Sequence, residues 1–233
     1  MGALFALSNY NLKKVALSCH APYYINLNSR EEEKVEASKS RLLQTARIAK
    51  ILGATSIIFH PAFYGEDSSE IVLSKVLREL TEVREELDKE GNQVILRPET
   101  TGKPSQFGDL RETIRLAQEI PGVLPCIDFS HLHARGKGMF NTYDGFCMML
   151  EETAEGLGES WISNAHFHIS GIEYGEKGEK RHLVFREADL DFEGLLKALL
   201  SFGISGTVIC ESPNLEEDAL LLQKTYTCLQ GKD

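Results

Sequence analysis

Six short apolar runs in this sequence each end on a side chain able to hold a metal ion: His20, His60, Glu99, Asp128, His166 and Glu211. A polar residue after an apolar run is ordinary, and any one of these alone would be read as a helix cap or a hydrogen-bonded strand end. Repeated choice of only His, Asp and Glu favours coordination instead. Glu99, between Pro98 and Thr100-Thr101-Gly102, has a turn role as its alternative. His131, three residues beyond Asp128, and His182, in the loop after the fifth run, add two further imidazoles. Imidazole and carboxylate without thiolate suit zinc, manganese or iron better than calcium or magnesium. The set exceeds the needs of one tetrahedral ion, so more than one ion is expected, with a carboxylate bridging between cations. Two ions about 3.5–4 Å apart lower the pKa of a bound water toward ~7 and stabilise the attacking and leaving oxygens of a phosphoryl displacement. Phosphodiester hydrolysis is therefore natural here. The same ligand types also support proton abstraction beside a carbonyl, the chemistry of a sugar isomerase or epimerase.

Other side chains flank this set. His168 lies two residues after His166 and shares its strand face, where it serves behind the ligands or toward a substrate. His133 reads as a surface or supporting residue. Tyr23 and Tyr24 follow His20 and offer a stacking surface, with packing over the rim as the plain alternative. Arg135, Lys137 and the cluster from Lys177 to Arg181, which includes Lys180, are candidates for phosphate contacts; singly, each is more often a solvated charge. The five cysteines, Cys19, Cys126, Cys147, Cys210 and Cys228, have no partner at motif spacing and are assigned to core packing.

The elements that must position these groups alternate. Apolar runs at Val15–Cys19, Ser56–Phe59, Val94–Leu96, Val123–Ile127, Trp161–Ile169 and Gly206–Cys210 are mostly rich in β-branched residues, as buried parallel strands are; Ala3–Leu7 is a weaker seventh. Between them, apolar residues recur at three- and four-residue spacing over Glu31–Leu52, Ser68–Lys89, Gln106–Glu119, Asn141–Leu157, Asp189–Phe202 and Leu215–Leu229, which predicts helices. Gly53, Gly91 and Gly203 stand where helices should end. Strands separated by helices imply a parallel sheet with right-handed crossovers. A doubly wound sheet spreads its strand ends along a line, whereas a closed barrel gathers them on one face, so the ligand pattern favours a (β/α)8 TIM barrel.

The 233 residues fit one such barrel, taken as a single domain over 1–233. Residues 1–14 are expected to be an irregular remnant of the first βα units, leaving the barrel incomplete at its N-terminus. With 25 basic and 35 acidic residues, net charge −10, a generally basic nucleic-acid coat is excluded, though a local basic groove is not. No run is long and apolar enough for a membrane span, and the scattered cysteines fit a reducing cytoplasm.

In order along the chain, His20-Ala-Pro-Tyr-Tyr-Ile-Asn-Leu, Phe59-His60-Pro61, Glu99-Thr-Thr-Gly, Cys126-Ile-Asp128-Phe-Ser-His131, Ala165-His166, Arg181-His182 and Glu211 after Ile209-Cys210 resemble the endonuclease IV type of apurinic/apyrimidinic endonuclease, within the xylose isomerase-like barrels. That resemblance implies a zinc cluster of two or three ions, with manganese as an alternative. His20, His60 and Glu99 would hold one ion, Glu99 would bridge to a second held by Asp128, His166 and Glu211, and His131 and His182 would hold the third. It also implies double-stranded DNA with abasic lesions as substrate, no obligate protein partner, and Glu99 and Glu211 as catalytic carboxylates. In such enzymes activated water attacks the phosphate 5′ to the abasic sugar and leaves a 3′-hydroxyl, in base excision repair. Tyr23, Tyr24, Arg135, Lys180 and Arg181 would touch DNA. Two departures stand out. The family's Asp-Arg-His triplet is here Lys180-Arg181-His182, so that Glu179, Glu176 or Glu173 must substitute or the third ion is lost. The family's N-terminal DNA-contact loop has no counterpart. A non-catalytic damage-binding protein and a sugar isomerase or epimerase remain as alternative functions.

Overall fold

The computed structural model describes residues 16–231, so the expected strand at Ala3–Leu7 and the irregular start over 1–14 lie outside the described residues. Two compact units are distinguished, one of residues 1–99 and 115–125, the other of residues 100–114 and 126–233.

The first unit carries three parallel strands, β1 (Ser18–His20), β2 (Ser56–Phe59) and β4 (Ile95–Pro98), in the order β1-β2-β4. Two 21-residue helices alternate with them, α1 (Glu32–Leu52) and α2 (Ser69–Lys89); the two-residue strand β3 (Ala62–Phe63) follows β2. Register pairs His20 with Ile58 and Phe59 with Pro98, so adjacent strands end at one level. The four residues of β2 are all buried, as expected for a parallel strand covered on its faces. Leu42, Ala46 and Ala49 of α1 and Val72, Val76, Leu80, Val83 and Leu87 of α2 are buried, at the spacing that predicted these helices. Helix α1 stops at Gly53, whose φ of 74° is the left-handed conformation that glycine adopts without steric cost.

The second unit orders its parallel strands β10-β7-β6: β6 (Ile127–Asp128), β7 (Ala165–Ile169) and β10 (Gly206–Cys210). It also contains the two-residue strand β5 (Gln106–Phe107) and helices α4 (Phe129–Arg135), α5 (Tyr143–Leu157), α6 (Phe192–Ser201) and α7 (Glu216–Leu229). Helix α3 (Leu110–Glu119) completes the α-helices of the described residues. Phe167 on β7 packs against Phe129 and Trp161, with ring centroids 5.4 and 6.0 Å apart, while Leu195, Leu199 and Leu222 close the same core. Trp161 belongs to a short 3-10 helix (Glu159–Asn164) rather than to the strand. One feature departs more clearly from the expected rhythm. After β7 the chain makes an antiparallel hairpin, β8 (Gly171–Gly175) and β9 (Gly178–Leu183), with a register shift between Glu173 and Tyr174.

Candidate metal centre

In the first unit, β1, β2 and β4 bring His20, His60 and Glu99 together at their C-terminal ends. Both His20 Nε2 and His60 Nε2 lie 3.0 Å from the same oxygen, Glu99 Oε2, and the Glu99 side chain is 1% exposed. His20 Nδ1 is 2.7 Å from the carbonyl of Ala21. A carbonyl can only accept, so Nδ1 carries the proton and donates it there. In the neutral ring Nε2 then turns a lone pair toward a carboxylate oxygen. Lone pairs facing one another at that distance repel unless a proton or a metal ion sits among them, so His20, His60 and Glu99 could hold such an ion. The loop after His20 is pinned by Leu27 N–H donating to the Pro61 carbonyl (3.0 Å) and by Asn28 Nδ2 donating to the Phe63 carbonyl (2.9 Å). It presents Tyr23 and Tyr24 at 76% and 81% exposure. Tyr23 nevertheless contacts both histidine rings, at centroid distances of 5.7 and 5.8 Å.

The second unit holds two further groupings. Asp128 caps α4, its Oδ1 accepting from the His131 backbone N–H at 2.8 Å, and its other oxygen, Oδ2, is buried without a hydrogen-bond partner among the described residues. The nearest cation-capable group to it is His131 Nδ1 at 3.3 Å, whose proton is directed at the Thr100 carbonyl, so this carboxylate oxygen is one that a cation could answer. On the neighbouring strands, His168 Nδ1 lies 3.2 Å from Glu211 Oε1, and register sets Asp128 beside His168. His166, expected in this row, lies two residues earlier on β7 and one level lower, with Cys126. Both histidines face the same way because side chains alternate along a strand. A run ending in His-Phe-His gives two choices on one face, and the β6–β7 register, which pairs Asp128 with His168, selects His168.

The last grouping is His131, Glu179 and His182, whose ligand atoms all lie within 4.8 Å of one another. His131 Nδ1 donates to the Thr100 carbonyl at 2.9 Å and His182 Nδ1 to the Glu211 carbonyl at 3.1 Å, so both rings are held in the tautomer that frees Nε2 as a ligand. Glu179 Oε2 lies 3.6 Å from His131 Nε2. Lys180, which stands where an aspartate was expected, turns away and pairs with Glu173 at 3.1 Å. The register shift in the hairpin accounts for this. Regular alternation would put Lys180 and His182 on one face; the extra residue of a bulge re-aims the chain, and Glu179 joins His182 instead. Gly102 makes room for it. A Cβ on Gly102 would stand 2.7 Å from Glu179 Cβ and 2.8 Å from its Oε2, and the Glu179 N–H donates to the Gly102 carbonyl at 3.0 Å.

Several expected phosphate contacts are engaged within the protein. Arg181 Nε donates to Glu173 at 2.8 Å, Lys137 pairs with Glu176 at 2.5 Å, and Arg135 Nη1 donates to Thr101 Oγ1 and to the carbonyls of Lys103 and Gln106 at 2.8–3.1 Å. The two cations at Glu173 hold its carboxyl below the usual carboxylate range, with Arg181 the larger influence. His133, read from sequence as peripheral, is 2% exposed and bonded to Asp189 at 2.8 Å.

Parallel strands that end on imidazoles and carboxylates, with ring tautomers set by backbone carbonyls, define an α/β protein with groupings able to hold metal ions. The chain belongs to the xylose isomerase-like TIM barrel family, whose model matches residues 5–229. It is 47% identical over 212 residues to an uncharacterized protein of Methanocaldococcus jannaschii, covering 91% of this chain and 77% of that one. It is 24% identical to a probable endonuclease 4 of Mycoplasma pneumoniae, covering 89% of this chain and 72% of the relative. Among solved structures, a D-tagatose 3-epimerase-like protein superposes with a TM-score of 0.72 at 18% identity, covering 98% of this chain and 82% of that one, a likeness of fold. No helix among the described residues is long and apolar enough to cross a membrane.

Proposed function

We propose that this protein is a metal-dependent phosphodiesterase that incises DNA 5′ to abasic sites. The observation that carries the reading is the shared state of His20, His131 and His182: each donates Nδ1–H to a backbone carbonyl and leaves Nε2 beside a carboxylate or a ligand grouping. His20, His60 and Glu99 hold one ion in this reading; Asp128, Glu211 and His168, in the place first given to His166, supply ligands for a second; and His131, Glu179 and His182 hold a third. Zinc is the expected metal, with manganese as its substitute. Bound there, the ions supply Lewis acidity and an activated water. The protein's own part is positional. Glu99 and Glu211 are the catalytic carboxylates, fixed at strand ends, and buried carbonyls keep the imidazoles from rotating. Tyr23 and Tyr24 offer aromatic faces to unpaired bases beside an abasic gap. The similarity to probable endonuclease 4 proteins supports an endonuclease reading, and the abasic lesion belongs to the proposal.

The test uses purified protein loaded with zinc or manganese and a 5′-labelled duplex carrying one abasic analogue. Incision immediately 5′ to the lesion is expected, and Glu99→Ala should lower it by at least about 10²–10³-fold, the scale on which a preorganised charge contributes. Intact duplex after incubation with fully loaded protein would sink the reading.

Sugar isomerisation or epimerisation is the second reading. It is favoured by the capture of Lys180 and Arg181 by Glu173 and by the net charge of −10, neither of which helps bind a polyanion. Solvent deuterium entering a ketose or aldose pool would support it; none across a broad panel would exclude it.

A further inference from the structure

The grouping of His131, Glu179 and His182 draws on two elements, since His131 sits on α4 and the other two on β9. Whatever fixes the hairpin against the helix therefore fixes the grouping. Register in the hairpin pairs Tyr174 with Glu179, and the register shift falls between Glu173 and Tyr174, so Tyr174 stands opposite Glu179 at the bulge itself. Its ring meets that of His133 on α4 edge-on, with centroids 5.0 Å apart and planes at 80°. Its hydroxyl donates to Asp189 Oδ2 at 2.7 Å, and His133 Nε2 donates to Asp189 Oδ1 at 2.8 Å. An ionised carboxylate only accepts, so one side chain takes a bond from the hairpin and a bond from the helix. The backbone around Asp189 is held as well. Asn141 Nδ2 donates to the Asp189 carbonyl at 2.6 Å, and Asn141 Oδ1 accepts from the Asp191 N–H at 2.8 Å. Gly138 leaves the tyrosine hydroxyl its path: its φ of 82° is left-handed, and a Cβ there would stand 2.9 Å from Tyr174 Oη.

We infer that Tyr174 and Asp189 are positioning residues for the ion held by His131, Glu179 and His182: their hydrogen bond sets the bulge and keeps Glu179 turned toward the two imidazoles. This rests on the third ion of the proposed function, and it holds whether the substrate is DNA or a sugar. Neither residue belongs to the ligand grouping itself. Bulges re-aim side chains, and an outer hydrogen bond that orients a ligand carries about 10–100-fold in metal affinity. The Asp189 side chain is mostly exposed and water competes for its bonds, so the low end of that range, about 10-fold, is expected.

Wild type and variants are dialysed against a series of buffered free-zinc concentrations, zinc per chain is measured, and unfolding of the chelated proteins is followed in urea. Glu179→Gln marks the site by the zinc it loses. Tyr174→Phe is expected to weaken one zinc about 10-fold and to leave the remaining zinc unchanged. Asp189→Ala should match it, and the double variant should fall no further, because both changes remove one bond. Asp189→Asn separates position from stability: it keeps an oxygen for the tyrosine hydroxyl and should retain its zinc while losing stability through His133. Zinc loss that instead follows urea stability across the variants overturns the proposal. So does a Tyr174→Phe protein with wild-type zinc affinity when Glu179→Gln has lost zinc. Unchanged zinc in Glu179→Gln overturns the third ion itself, and the positioning role with it. Should Tyr174→Phe not fold, Asp189→Ala against Asp189→Asn carries the same comparison.

Discussion

At the scale of single residues, a one-position exchange of roles separates Lys180 from Glu179. If Glu179 is the carboxylate that completes the His131 and His182 pair, Glu179→Gln should weaken metal at that grouping by at least about 10–100-fold, whereas Lys180→Ala should leave the metal content unchanged. Metal analysis after dialysis against a defined free-zinc buffer distinguishes the two, and equal loss in both variants would refute the assignment. Gly102→Ala should imitate Glu179→Gln, because the added methyl would stand 2.7 Å from Glu179 Cβ. These roles were partly legible in the sequence. The residue types at the strand ends marked His20, His60, Glu99, Asp128 and Glu211 as metal-capable, since each follows its apolar run directly or, for Glu99, after Arg97-Pro98. Glu179 was one of three acidic candidates, and nothing in the order Glu-Lys-Arg-His reveals that a bulge will turn the first residue inward. His166 and His168 posed the same difficulty: periodicity assigns a face, and only interstrand register assigns a height.

At the scale of elements, the strands and long helices were readable because burial repeats along them, and the boundaries set by glycine were readable because φ is positive there. Gly53, Gly91 and Gly203 have φ of 74°, 61° and 61°. The β8–β9 hairpin was not readable, since β9 runs through the consecutive polar residues Glu179-Lys180-Arg181-His182 and leaves no apolar period to detect. It carries Glu179 and His182, so its attachment matters. Tyr174 O–H donates to Asp189 Oδ2 at 2.7 Å, while His133, on α4, is 2.8 Å from Asp189 Oδ1, tying the hairpin to the helix that bears His131. Partial burial alone would raise the Asp189 pKa, but the bonds from His133 and Tyr174 outweigh it and hold the carboxyl below its ordinary value. A depressed carboxylate stabilises the fold above its unfolded pKa, near 4, and that contribution is lost as pH falls through the depressed folded value. Because the Asp189 side chain is 59% exposed and solvent screens its charge, Asp189→Asn should cost no more than about 1 kcal/mol at neutral pH, by leaving the buried His133 poorly bonded, and less under acid. Urea unfolding of both proteins at neutral and acidic pH checks this; a difference that grows on acidification would contradict it.

At the scale of the whole molecule, buried charge is the common thread. Glu99 and Asp128 are both 0% exposed, and each unit concentrates imidazoles around such a carboxylate. Without cations these groups oppose folding, because desolvated carboxylates beside one another or beside lone pairs are costly. With cations the same groups favour folding, since an ion that binds only the native chain stabilises it by mass action. At free metal about 100 times its dissociation constant the gain is about 2.7 kcal/mol per site. For a chain of this length each kcal/mol moves the midpoint by about 2–4 °C, so one occupied site should raise the thermal midpoint by about 5–10 °C over chelated protein. The shift should grow with free zinc, fall in Glu99→Ala, and fall again at acidic pH as the imidazoles take up protons and release the metal. Calorimetry across a zinc series measures all three effects. A midpoint indifferent to zinc at neutral pH would mean that the buried carboxylates are balanced by protons instead, and that these strand ends bind no ion.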